Sequence, residues 1–135
     1  MKIEFAVETD YDYIFENDKH ILESLISAKI KAKEIYILRN REGVYIGWMR
    51  FGYFWDKTPF MNMIWINEEY RSKGIGKRIV LFWEYEMKLK GCKMLMTSTL
   101  ANEEAQHFYR KLGYKDSGCL LLDKEPLEII FTKEI

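Results

Sequence analysis

Polar and apolar residues alternate over residues 2–5 and two more apolar residues follow, so residues 2–7 read as a short opening strand. The next stretch, residues 8–18, is polar and aromatic with helix-start signals at Asp10 and Asp12, and it is expected to form a short helix or a turn. Asp18 is placed to cap a second helix, in which Leu22, Leu25, Ile26 and Ile30 recur near helical spacing while Lys29, Lys31 and Lys33 face outward. That helix is expected to end near Lys33. Residues 35–38 then read as a strand, 40–43 as a turn and 44–55 as a long aromatic strand. A second turn at 56–59 leads into a third strand at 60–66, and such short connections favour antiparallel neighbours.

The period changes again after residue 66. A helix over 74–90 gathers Ile75, Ile79, Met87 and either Phe82 or Trp83 on one side, with Lys77, Arg78, Glu84 and Lys88 mostly elsewhere, and Gly91 stops it. Residues 93–99 return as a strand. A strand, helix and strand of this length make a crossover that yields parallel pairing, so the sheet is expected to be mixed. In the next helix Ala105, Phe108, Tyr109 and Leu112 fall at i, i+3, i+4 and i+7, with Asn102 as a possible cap, Glu103 and Glu104 suited to its first turn, and Gly113 as its stop. Residues 114–122 and 127–133 close the chain as two strands.

At 135 residues, 48% of them hydrophobic, the chain has the size of one domain, residues 1–135, with enough apolar surface for a core. Its 21 basic and 21 acidic residues balance, so no global field draws it to nucleic acid or an anionic membrane, and any anion site must be local. Apolar runs fall short of the ~20 residues a membrane span needs, the start lacks a signal-peptide core, and a cytoplasmic location is expected. Cys92 and Cys119 match neither a metal knuckle nor a redox pair and read as free buried thiols. His20 and His107 have no neighbouring cysteines, and no metal site is expected.

The candidate chemistry lies in two segments. Arg71, Ser72, Lys73, Gly74, Ile75 and Gly76 follow a strand and open a helix, with Lys77 and Arg78 adding charge. A tight glycine-bearing turn there aims amide N–H groups and the positive end of a helix at one anion. The run is neither a Walker loop nor a three-glycine dinucleotide fingerprint, which weakens both nucleotide readings. The second segment runs Asn102, Ala105, Phe108, Tyr109, Gly113 and Tyr114, a short helix with a tyrosine on its apolar face.

Arg71-x-x-Gly74-x-Gly76 resembles the pyrophosphate motif of the GCN5-related N-acetyltransferase superfamily, and Asn102-x-x-Ala105-x-x-Phe108-Tyr109-x-x-x-Gly113-Tyr114 is similar to that family's second coenzyme motif. The resemblance implies a mixed, mostly antiparallel sheet of six to seven strands flanked by about four helices, with acetyl-CoA where two parallel strands, 61–66 and 93–99, splay apart. By the same resemblance, main-chain groups of Ile64 and Ile66 contact the pantetheine arm. The amides of Arg71, Ser72, Lys73, Gly74, Ile75, Gly76 and Lys77 hold the pyrophosphate. Asn102 either caps its helix or hydrogen-bonds the pantetheine arm. Tyr109, otherwise a core tyrosine, places its hydroxyl near the thioester sulfur.

The implied reaction is direct attack of a primary amine on the thioester in a ternary complex, with Tyr109 as general acid. An amine with a lysine-like pKa near ~10 must first lose a proton. Glu68 and Glu69 are candidates for the base, or else solvated loop charges, and Thr97 and Ser98 line the acceptor site or simply fill a strand. A glutamate often found near the place of Thr97 in protein N-terminal acetyltransferases is absent, which counts against that subclass. Tyr11, Tyr13, Phe15, Trp48, Phe51, Tyr53, Trp55 and Trp65 divide between core and acceptor clamp. The acidic residues Asp10, Asp12, Glu16 and Asp18 suit a cationic acceptor, or are capping and solvated groups.

A small-molecule amine is favoured over a protein terminus or lysine, and a homodimer is compatible with the family. The alternatives are a catalytically weak acyl-CoA-binding or regulatory module and a nucleotide-binding protein.

Overall fold

The computed structural model describes residues 1–135. In chain order the strands are β1 (Lys2–Phe5), β2 (Ile35–Arg39), β3 (Tyr45–Phe54), β4 (Thr58–Ile66), β5 (Met94–Leu100), β6 (Lys115–Leu120) and β7 (Glu128–Glu134). The helices are α1 (Tyr11–Asn17), α2 (Glu23–Lys31), α3 (Ile75–Leu89) and α4 (Ala105–Lys111), with 3-10 turns at Glu8–Asp10 and Glu68–Tyr70. The strands form a seven-stranded sheet in the order β1-β2-β3-β4-β5-β7-β6. β4 and β5 are parallel, whereas β1–β2, β2–β3, β5–β7 and β6–β7 are antiparallel. The α3 crossover enforces the parallel pair, as its length requires. No helix is long and apolar enough to cross a membrane.

The chain forms two compact units, Met1–Phe51 with Met63–Ile75 and Gly52–Asn62 with Gly76–Ile135. In the first, Ala6, Ile14, Ile26, Ile30, Ile35, Ile37 and Trp48 form the core, with Tyr13, Tyr45 and Met63 packed against it. Asp18 lies inside this unit and does not cap α2, whose N-cap is Leu22. Its carboxylate accepts from Arg50 Nε at 2.6 Å, Trp48 Nε1 at 3.1 Å and the His20 amide at 3.0 Å. Burial would raise the Asp18 carboxyl, but these bonds and the charge of Arg50 together hold it below its ordinary value. Asp10 is also buried, accepting from Arg39 at 2.8 Å, Tyr45 at 2.6 Å and the Val7 amide at 2.8 Å. Two of the four acids expected to attract a cation or remain solvated are therefore already paired with arginines.

The β3–β4 turn falls earlier than the sequence suggests. Trp55 and Asp56 both have positive φ, and the Lys57 amide bonds the Phe54 carbonyl at 3.2 Å, the pattern of a two-residue hairpin turn. Thr58 and Pro59 accordingly belong to β4. The ladder to β5 registers from Phe60, so the missing N–H of Pro59 takes nothing from it.

In the second unit α3 buries Ile79, Val80, Trp83 and Met87, which resolves the choice between Phe82 and Trp83 in favour of Trp83. Burying such side chains contributes about 1.5–3 kcal/mol each. Glu84 lies on the same face, contrary to expectation, because the Tyr114 hydroxyl donates to it at 2.8 Å and Lys133 at 2.9 Å. The thiols are also placed differently: Cys119 is exposed on β6 and Cys92 is half-buried, and both are free.

Candidate functional site

β4 runs through the Glu68–Tyr70 turn into α3, and the turn between them takes its shape from two left-handed residues, Ser72 at φ 59° and Gly74 at φ 81°. A Cβ at Gly74 would meet nothing within 4 Å, so glycine is needed there for conformation rather than for space. Left-handed residues alternating with ordinary ones curl successive amides into a concave anion-binding nest. The turn feeds a helix of 15 residues with no acid in its first turn. Arg71, Ser72, Lys73, Gly74, Lys77 and Arg78 are exposed and Ile75 and Gly76 half-buried, so the nest opens to solvent. Gly76 sits against the Phe108 ring, 3.5 Å from where its Cβ would lie, which brings the start of α3 next to α4.

The side chain of Arg71 turns back onto the strand. Its Nε donates to the Ile66 carbonyl at 2.7 Å and its guanidinium lies 4.6 Å from the centroid of the Trp65 ring. The end of β4 is fixed from β3 as well. The Asn67 amide donates to the Ile46 carbonyl at 2.8 Å, and a Cβ on Gly47 would collide with the Trp65 carbonyl oxygen. Gly47 is a residue the motif reading missed, although a glycine within a strand is itself a sign of close backbone approach.

In the second unit the registered pairs of the parallel ladder are Phe60 with Met96 and Met61 with Thr97. Thr97 is buried and donates its hydroxyl to the Met61 carbonyl at 3.0 Å. Tyr109 on α4 is 5% exposed. Burial pushes its phenol up to about 12, with the nearby Thr97 hydroxyl opposing and Glu103 adding to the rise. Tyr109 is thus a neutral hydroxyl at physiological pH.

Asn102 does not cap α4. The N-cap is Glu104, with no side-chain cap bond, and Asn102 is exposed. The capping reading of Asn102 is therefore overturned. Glu68 and Glu69 are exposed in the 3-10 turn after β4. Ser98 donates to Glu128 at 3.3 Å, and burial raises the Glu128 carboxyl, with the Ser98 bond opposing and Glu103 adding. The two hydroxyls of β5 therefore engage different partners, a main-chain carbonyl for Thr97 and a carboxylate for Ser98.

Residues 4–114 match the acetyltransferase (GNAT) family, and the chain belongs to that family. Solved structures share its fold at low identity. The Ard1 protein of Thermoplasma volcanium superimposes with a TM-score of 0.84 at 12% identity, covering 99% of this chain and 97% of its own. A GNAT family acetyltransferase of Elizabethkingia anophelis with acetyl-CoA bound gives 0.77 at 20% identity, covering 99% and 97%. The spermidine/spermine N-acetyltransferase SpeG of Vibrio cholerae, in complex with manganese ions, gives 0.79 at 13% identity, covering 98% and 91%. No curated protein matches the chain by sequence.

Proposed function

We propose that residues 1–135 act as one cytoplasmic N-acetyltransferase domain, moving an acetyl group from acetyl-CoA to a primary amine, with a small molecule as acceptor. The observation that carries this reading is the turn with Ser72 and Gly74 in left-handed conformation, leading into the acid-free first turn of α3. A pyrophosphate needs many donors and no base recognition, which such a turn offers. In this reading the amides of Arg71, Ser72, Lys73, Gly74, Ile75, Gly76 and Lys77 bind the pyrophosphate. Main-chain groups of Ile64 and Ile66, with the side chain of Asn102, bind the pantetheine arm. The acetyl-CoA bound to the Elizabethkingia anophelis protein supports the choice of coenzyme.

In the transfer the amine nitrogen attacks the thioester carbonyl, the C–N bond forms and the C–S bond breaks. Glu68, acting through water, takes the proton of the incoming ammonium; the nitrogen loses a second proton to water as the amide forms, and CoA leaves as the thiolate. The phenol of Tyr109, pushed up to about 12, keeps its proton at neutral pH. Complete transfer to a thiolate of pKa ~8.5 would cost roughly 5 kcal/mol, so Tyr109 acts chiefly by donating a hydrogen bond as charge develops on sulfur.

One observation favours a second reading, an acyl-CoA-binding module of little activity: Tyr109 is only 5% exposed, and burial pushes its phenol up to about 12. Thiol release across an amine panel separates the two. Amine-dependent release supports the transferase, and saturating coenzyme binding without release by any amine supports the module.

A further inference from the structure

A cationic phosphate site would assign the Arg71 charge to the anion, yet its side chain is committed elsewhere. Nε donates to the Ile66 carbonyl at 2.7 Å, and the guanidinium carbon lies over the Trp65 ring, 4.6 Å from its centroid. These two contacts close a loop around the Glu68–Tyr70 turn, in which the Arg71 amide also donates to the Glu68 carbonyl at 3.1 Å. Ser72, the next residue, is the first left-handed residue of the nest. A non-glycine residue in that region costs of order 1 kcal/mol or more and holds only where its neighbours are fixed.

The indole under Arg71 is itself braced. Trp65 stacks on Trp48 with ring centroids 6.0 Å apart and planes at 25°, and Trp48 is 3% exposed with its N–H on Asp18 at 3.1 Å. Tyr13 meets the edge of Trp48 at 5.7 Å. The platform that carries Arg71 is therefore anchored in the core of the first unit, whereas Lys73, Lys77 and Arg78 are exposed around the turn.

We propose that Arg71 is a positioning residue: clamped between the Trp65 ring and the Ile66 carbonyl, it latches the phosphate turn to the end of β4 and acts on the coenzyme through the shape of the nest, not through its charge. The inference rests on the acetyl-CoA reading above. It makes Trp65, which supplies no donor and no charge to a phosphate, a determinant of coenzyme affinity.

The test is calorimetric titration of acetyl-CoA into the wild-type chain, Arg71→Lys, Arg71→Met, Trp65→Leu and the Trp65→Leu/Arg71→Met double variant, each at several salt concentrations. Circular dichroism establishes that each is folded. Lysine keeps the charge but cannot stack a planar group while bonding the carbonyl. The latch predicts that Arg71→Lys and Arg71→Met bind equally weakly, about two- to five-fold below wild type, the scale of an exposed cation–π contact. It also predicts that Trp65→Leu weakens binding comparably, that the double variant is no worse than either single one, and that the salt dependence stays that of wild type. Near wild-type affinity of Arg71→Lys, or a flattened salt dependence in Arg71→Met, would overturn the latch alone. A wild-type chain that does not bind acetyl-CoA would overturn the coenzyme reading, and the latch with it.

Discussion

Thr97 donates its hydroxyl to the carbonyl oxygen of Met61 across 3.0 Å, and Met61 is also its register partner in the parallel ladder between β4 and β5. The same threonine lies beside the phenol of Tyr109, so one small side chain sits between β4 and that tyrosine. Thr97→Val keeps the shape and removes the hydroxyl. It leaves the buried Met61 carbonyl without that donor, at a cost of about 1–3 kcal/mol. Chemical denaturation is expected to show that loss, and turnover to fall more than acetyl-CoA affinity.

Tyr109→Phe is expected to lower turnover about 10²–10⁴-fold while the dissociation constant of acetyl-CoA changes little. Steady-state kinetics with calorimetry checks this, and unchanged turnover would remove Tyr109 from the chemistry. The phenol also makes stability depend on pH. Its folded value is raised from 10.0 to about 12, so the contribution is complete below pH 10 and is lost as pH rises towards 12. Thermal unfolding from pH 9 to 12 should show a steeper alkaline loss in wild type than in Tyr109→Phe.

Gly47→Ala would place a methyl group against the Trp65 carbonyl, where the obstacle is backbone and cannot swing aside. Overpacking of this kind typically costs about 1–3 kcal/mol. Because the displaced strand end leads into the phosphate turn, acetyl-CoA affinity should fall together with the urea midpoint.

The Asp18–Arg50 pair is buried, with side-chain exposures of 0% and 6%. Asp18→Ala leaves the guanidinium uncompensated and is expected to cost about 3–5 kcal/mol. Because the folded carboxyl lies below its ordinary value, its contribution is present above the usual carboxylate range and is lost as pH falls below it. Acid denaturation of the wild-type chain should show this loss, and a variant with both residues replaced by apolar ones should not.

Local signals made the fold legible where they agreed with tertiary needs. The helix of α3 and its stop, the crossover, and the tight turn before α3 are legible because glycine placement and apolar spacing depend on only a few neighbouring residues. Asp18 was misread because its partners are distant in the chain: Arg50 lies 32 residues on and Trp48 lies 30. At that range an acid before a helix looks like a cap. Glu84 was misread for the same reason, since Tyr114 and Lys133 turn a helix-face charge into a buried one. The β3–β4 turn falls earlier than residues 56–59 because Trp55 and Asp56 are both left-handed, a conformation neither favours as glycine does, so no local signal marks it.

The most direct test of the account is calorimetric titration of the purified chain with acetyl-CoA, with ATP and NAD as controls and Gly74→Asp as the variant. The account predicts saturable binding of acetyl-CoA alone, weakened when a carboxylate at residue 74 blocks and repels the pyrophosphate. Failure to bind acetyl-CoA, preference for ATP or NAD, or unchanged affinity in Gly74→Asp would contradict it.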